Sequence, residues 1–121
     1  MGKKILIIDD MKVMRNVLKL NLQRLGYEVL EAGDGEEGLN IAEDEKPDLI
    51  ISVLMMPRMD GLKFVQLLKA NEDLRYIPII MLSAVDKQEK VLEAIKAGAS
   101  DYIIKPYETT ELIKKINKYI K

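Results

Sequence analysis

The feature that most limits this chain is a fivefold alternation of short apolar runs with amphipathic ones. "KILIIDD", "YEVLEA", "DLIISVLMM", "IPIIMLSA" and "DYIIK" have the length and β-branched content of strands. Each is followed by a run of helical period: "MKVMRNVLKLNLQRLG", "DGEEGLNIAEDEK", "GLKFVQLLKAN", "KQEKVLEAIKAGA" and "TTELIKKINKYIK". In the first helix Met14, Val17, Leu18, Asn21 and Leu25 form the predicted inner stripe, with Gly26 as terminator. The third buries Phe64, Leu67 and Leu68, and the fourth Val91, Leu92 and Ile95 before Gly98. The fifth turns Leu112, Ile113, Ile116 and Ile120 inward, and Pro47 ends the second. Strands that are apolar throughout need cover on both faces, so the sheet is expected to be parallel and sandwiched by helices. Right-handed crossovers then give an α/β fold, a doubly wound five-stranded parallel sheet flanked by five helices. With 121 residues and no linker or low-complexity segment, a single domain over 1–121 is expected.

Two absences narrow the chemistry. There is no Cys and no His, which excludes disulfides, thiolate or imidazole metal sites, a cysteine nucleophile and a histidine base. A metal would have to be a hard cation held by oxygen, and acid–base work would fall to Asp, Glu, Lys or Tyr. The formal net charge of −1 gives no global pull toward nucleic acid or an anionic membrane. No apolar run reaches the ~18 residues of a membrane span. The opening "MGKKILIIDD" has no cleavage-site pattern, so a cytoplasmic protein is expected.

In sheets of this kind ligands bind beyond the carboxyl ends of the strands. Those ends carry Asp9 and Asp10, the Ala32–Gly35 turn, Val53, Ser83 with Ala84, and Lys105 with Pro106. Adjacent acids repel unless a cation relieves them. One of them can serve as the N-cap of the first helix, but a cap accounts for one acid only. The pair also suits Mg²⁺, which takes one or two carboxylates plus waters and phosphate oxygens. Ser83 alone is an ordinary helix cap, and Lys105 alone a solvated charge. At neighbouring strand ends, acid pair, hydroxyl and Lys make a far more specific pattern than any one of them. "GDGEEG", Gly33–Gly38, matches a dinucleotide fingerprint literally. Asp34, Glu36 and Glu37, however, put negative charge where a pyrophosphate would sit, and suit the positive end of a helix dipole instead.

In order and spacing, "ILIIDD", "GYEVLEAGDGEEGL", "PDLIIS", "MMPRMDG", "PIIMLSA", "AIKAGASDYIIKP" and "ELIKKI" resemble the receiver domain of two-component response regulators, including the single-domain chemotaxis-like type. The resemblance covers the whole chain and implies a flavodoxin-like fold and a phosphorelay signalling switch. It implies a histidine kinase as phosphoryl donor; no enzyme activity, nucleic acid, membrane or small-molecule substrate is expected. It assigns Asp9, Asp10 and the Met55 backbone carbonyl to Mg²⁺, and Ser83 and Lys105 to phosphoryl oxygens. It also makes Tyr102 a switch aromatic with Ser83, and implies a cis bond between Lys105 and Pro106. On residue type alone Tyr102 is a half-buried strand residue. The downstream target would dock on the fourth helix, fifth strand and fifth helix, where Lys87, Lys90, Lys96, Lys114, Lys115 and Lys118 lie. These lysines also suit a plain solvated face.

The position matching the phosphoacceptor Asp is Val53. Valine has no oxygen to attack phosphorus or ligate a metal. Ser52 and Leu54 should face away from it, and Asp48 is at the wrong end of the strand. The expectation is a receiver not phosphorylated at aspartate and with weakened Mg²⁺ binding, inactivated by engineering or recent mutation. A natural phosphorylation-independent pseudo-receiver is the alternative, and a flavodoxin-like small-molecule domain a third.

Overall fold

A computed structural model describes residues 2–56, 58–84 and 88–120. The strands are β1 (Lys4–Ile8), β2 (Glu28–Ala32), β3 (Leu49–Val53), β4 (Ile79–Ser83) and β5 (Asp101–Ile104). The helices that follow them are α1 (Lys12–Arg24), α2 (Gly35–Glu45), α3 (Gly61–Ala70), α4 (Gln88–Ala97) and α5 (Thr109–Tyr119). All pairings are parallel, in the order β2-β1-β3-β4-β5. The doubly wound flavodoxin-like architecture expected from the alternation is the one observed.

Period-two alternation distributes the strand side chains between two cores. Ile5, Ile7, Leu49, Ile51, Val53, Ile80, Leu82 and Ile103 pack with Leu18 and Leu22 of α1 and Leu112 and Ile116 of α5. Leu6, Ile8, Ile50, Ile79 and Met81 pack on the other face with Ala42 of α2, Phe64, Val65 and Leu68 of α3, and Ala94 of α4. The central β3 and β4 are buried along their whole length, whereas β2 and β5 at the edges are partly open.

Two helical faces differ from the sequence reading. In α1 the buried residues are Leu18 and Leu22, while Met14, Val17 and Leu25 are exposed. That helix is apolar on more than one side, so periodicity alone does not choose the side that meets the sheet. In α4 the buried residue is Ala94, and Leu92 and Ile95 are exposed. A small side chain lets the helix lie close to the sheet there, a contact that a search for large apolar residues passes over.

The helix ends follow local chemistry. Gly26 (φ 94°) and Gly98 (φ 119°) take the left-handed turns that end α1 and α4. Asp34 caps α2, its carboxylate accepting from the Glu37 N–H at 2.8 Å, with Glu36 and Glu37 in the first turn. "GDGEEG" is therefore a helix start, as its charges indicated. Gly61 is required by a close approach: a Cβ there would lie 2.5 Å from the Val53 carbonyl oxygen. The Gly61 N–H instead donates to the Leu54 carbonyl at 2.7 Å, tying the start of α3 to the end of β3.

Candidate functional site

Chain reversal between β1 and β3 opens a crevice above the sheet, because β1 leads to α1 on one face and β3 to α3 on the other. A cleft of about 190 Å³ lies there, lined by Asp9, Asp10, Met11, Val53, Met55, Leu82, Ser83, Ala84 and Lys105. The structure thus brings together six residues singled out from sequence: Asp9, Asp10, Val53, Met55, Ser83 and Lys105. Tyr102 is not in the lining. It is half-buried on β5 and packs against the α2–α3–α4 core.

Asp9 follows β1 directly and is only 6 % exposed. It is not the α1 N-cap residue, a position taken by Met11, which makes no side-chain cap. One Asp9 carboxylate oxygen instead accepts from the Met11 N–H at 2.9 Å, and Arg15 Nη1 donates to the Asp9 carbonyl at 2.6 Å. Burial pushes the Asp9 carboxyl above its ordinary value and the Asp10 charge adds to this; the Met11 N–H, Lys105 and Arg15 act in opposition without cancelling it. Asp10, next to it, is exposed. Arg15 also pairs with Glu31 at 3.2 Å, as Lys19 does at 3.0 Å, which holds α1 against the edge strand β2. Sequence reading missed Arg15 and Met11, because the Arg15 guanidinium meets a main-chain carbonyl and Met11 offers a main-chain N–H, contacts that no residue pattern reveals.

Val53 ends β3, is 7 % exposed and continues the α1–α5 core up to the floor of the cleft. Its neighbours point away as expected: Leu54 belongs to the opposite core, and the Ser52 hydroxyl is buried, bonding back to the Val53 carbonyl at 3.0 Å. Asp48 accepts from the Lys4 N–H at 2.8 Å at the far end of the sheet. Ser83 ends β4 and is 5 % exposed. Lys105 follows β5, its N–H bonded to the Ser83 carbonyl at 2.8 Å, and the Lys105–Pro106 bond is cis. Two carboxylates, a hydroxyl and an ammonium thus surround an apolar floor. Such an arrangement can hold a hard cation and a tetrahedral oxyanion, but the floor itself offers no nucleophile.

Residues 5–117 match the model of the response regulator receiver domain. The chain belongs to the response regulator receiver domain family. This receiver is 38 % identical over 123 residues to the chemotaxis protein CheY of Thermotoga maritima, with all of both chains covered. It is 41 % identical over 112 residues to the alkaline phosphatase synthesis transcriptional regulatory protein PhoP of Bacillus subtilis, covering 93 % of this chain and 46 % of that protein. It therefore spans about half the length of several curated regulators that it matches. Chemotaxis protein CheY4 of Vibrio cholerae superposes with a TM-score of 0.93 at 33 % identity, over 99 % of this chain and 100 % of that one. The receiver domain of the sensor histidine kinase PA1611 of Pseudomonas aeruginosa, with a magnesium ion coordinated in its active-site cleft, gives 0.91 at 32 %, over 99 % and 98 %. The chain is thus a two-component receiver domain, a signalling module of phosphorelays. Among the described residues, no helix is long and apolar enough to cross a membrane.

Proposed function

We propose that this receiver keeps the surroundings of a phosphoryl-acceptor site and lacks the acceptor, so that it works by binding partners and not by aspartyl phosphorylation. The observation that carries the reading is Val53 on the floor of the cleft that Asp9, Asp10, Ser83 and Lys105 surround. Among the described residues no other carboxylate stands in for it. Asp48 is at the opposite end of β3, and phosphorylation of Asp9 or Asp10 would remove a ligand from the cation site. The intact surroundings favour inactivation of a phosphorylatable parent by engineering or recent change; a natural pseudo-receiver has the same chemistry. Ser83 and Lys105 would contact phosphoryl oxygens, and Tyr102 would act as the switch aromatic by turning from its present half-buried place.

The residues present fit Mg²⁺ loosely. Asp9, Asp10 and the Met55 carbonyl would hold it, and it would supply charge neutralisation for a phosphoryl group. Among the described residues no cluster of three acids could hold a metal ion. A site of two carboxylates completed by water is within the range Mg²⁺ accepts, but with reduced affinity.

A histidine kinase and a downstream protein are the proposed partners, the latter on α4, β5 and α5. Leu92, Ile95 and Ile104 are exposed on α4 and β5 and support an interaction face. Its charge is more balanced than the lysines suggested. Lys115 and Lys118 pair with Asp101, and Lys90 with Glu93, while Lys87 lies outside the described residues. We take the chain as one cytoplasmic domain without enzymatic activity.

The test is incubation of the protein and its Val53→Asp variant with acetyl phosphate and Mg²⁺, followed by intact mass measurement. Phosphoryl uptake by the variant alone supports an inactivated receiver. Uptake by both overturns the reading of Val53, and uptake by neither favours the pseudo-receiver.

A further inference from the structure

We propose that the groove between α1 and the β5–α5 connection binds an amphipathic anion, with its head group on Lys105 and its apolar body on Met14, Val17 and Tyr107. The groove measures about 430 Å³ and is lined by Met14, Val17, Asn21, Ala84, Lys105, Pro106, Tyr107 and Thr109. That is the size of a small-ligand site, and its make-up is that of one: apolar walls with a few polar anchors. Met14 and Val17, 44 % and 52 % exposed, face it although the helix has other apolar residues for the core.

Charge selects the ligand class. The lining contains one cation and no acid. The α1 sequence contains no acid either, and two of its four basic residues, Arg15 and Lys19, are already paired with Glu31. Lys105 stands where the groove meets the cleft, lining both together with Ala84. Among the described residues it takes part in no ion pair. With valine at position 53 the cleft floor offers its ammonium no carboxylate. Asp9 and Asp10 flank it on the cleft side, leaving the groove side to an incoming anion. The Tyr107 hydroxyl remains protonated, because burial and then the Asp9 charge push its pKa up, and so it is a donor. A carboxylate, sulfonate or phosphate ester with a compact apolar body matches this lining.

The test needs neither phosphoryl donor nor metal, so it stands apart from the phosphorylation reading. The probes are 1-anilinonaphthalene-8-sulfonate and N-phenyl-1-naphthylamine, which share an aromatic body and differ in the sulfonate. Fluorescence titration of the folded protein is expected to show a saturable single site, with the sulfonate bound roughly tenfold more tightly than the neutral amine. Lys105→Gln should abolish that preference, Val17→Glu should weaken both probes, and Val53→Asp, which changes no residue of the groove lining but offers Lys105 a competing carboxylate, should weaken the sulfonate alone. Circular dichroism confirms that each variant is folded. Equal affinity of the two probes overturns the proposal. So does loss of binding on Leu92→Glu in place of Val17→Glu, which would put the probe on the α4 face. A dimer in sedimentation equilibrium that excludes the sulfonate would assign the groove to a second copy and overturn it as well.

Discussion

At the scale of single residues, the cleft shows how one side chain sets the balance of a whole site. Asp9 is buried, and its carboxyl is pushed upward mainly by loss of water, with Asp10 beside it. A third carboxylate on the floor would add repulsion to both and would itself be desolvated, since position 53 is 7 % exposed and continuous with the α1–α5 core. Valine removes that charge and fills the space with methyl groups beside Leu82, its register partner on β4. Val53→Asp is therefore expected to lower the metal-free unfolding free energy by about 1–3 kcal/mol. Urea unfolding at neutral pH in the presence of a chelator measures this, and equal or greater stability of the variant would contradict it.

At the scale of elements, α5 is fastened to β5 by Asp101 at the far end from the cleft. Its carboxylate accepts from Lys115 Nζ and the Tyr102 N–H, both at 2.9 Å. The Tyr119 hydroxyl lies 3.0 Å from the same group and 2.7 Å from the Ser100 carbonyl, and shares its one proton between them. Burial by itself would raise the Asp101 pKa, but Lys115, the Tyr102 N–H and Tyr119 together bring it below the ordinary value. A depressed folded-state pKa means stability that is complete above the unfolded value of about 3.9 and is lost as pH falls through the folded one. Asp101→Asn should cost about 1–2 kcal/mol at neutral pH. Denaturation from pH 6 to pH 3 checks it: the gap between parent and variant should close below about pH 4. A gap that stays constant would mean that Asp101 is not the titrating link. The elements themselves were legible because apolar runs and helical periods alternate without interruption. The faces of α1 and α4 were not. Leu22 and Ala94 meet the sheet where Val17 and Leu92 were expected, and only the docking of helix on sheet decides between such neighbours. The cleft was legible at Asp9, Asp10, Val53, Ser83 and Lys105, since parallel strands must end together. Met11 joins it through its own N–H and Arg15 through the main-chain carbonyl of Asp9, and main-chain partners leave no mark on residue type.

At the scale of the whole molecule, a ligand that binds the folded state raises the stability of the entire chain by an amount set by its concentration over its dissociation constant. The proposed cation site would draw on Asp9 and Asp10 after β1 and on the β3–α3 connection, which come together only when the sheet is assembled. The site is therefore absent from the unfolded chain, and binding must appear as a shift of the global melting transition. Each tenfold excess over the dissociation constant is worth about 1.4 kcal/mol, which for a chain of this length moves Tm by roughly 5 °C. With valine at the floor, about 10 mM Mg²⁺ should raise Tm by less than ~1 °C, because two carboxylates and a carbonyl bind the ion too weakly to approach that excess. In Val53→Asp, which starts from a lower metal-free Tm, the same addition should give a rise of several degrees. Calorimetric scans of both proteins with Mg²⁺ and with chelator decide it. A clear upward shift in the valine protein would mean that Asp9 and Asp10 suffice for the cation, and the claim of a weakened metal site would fall.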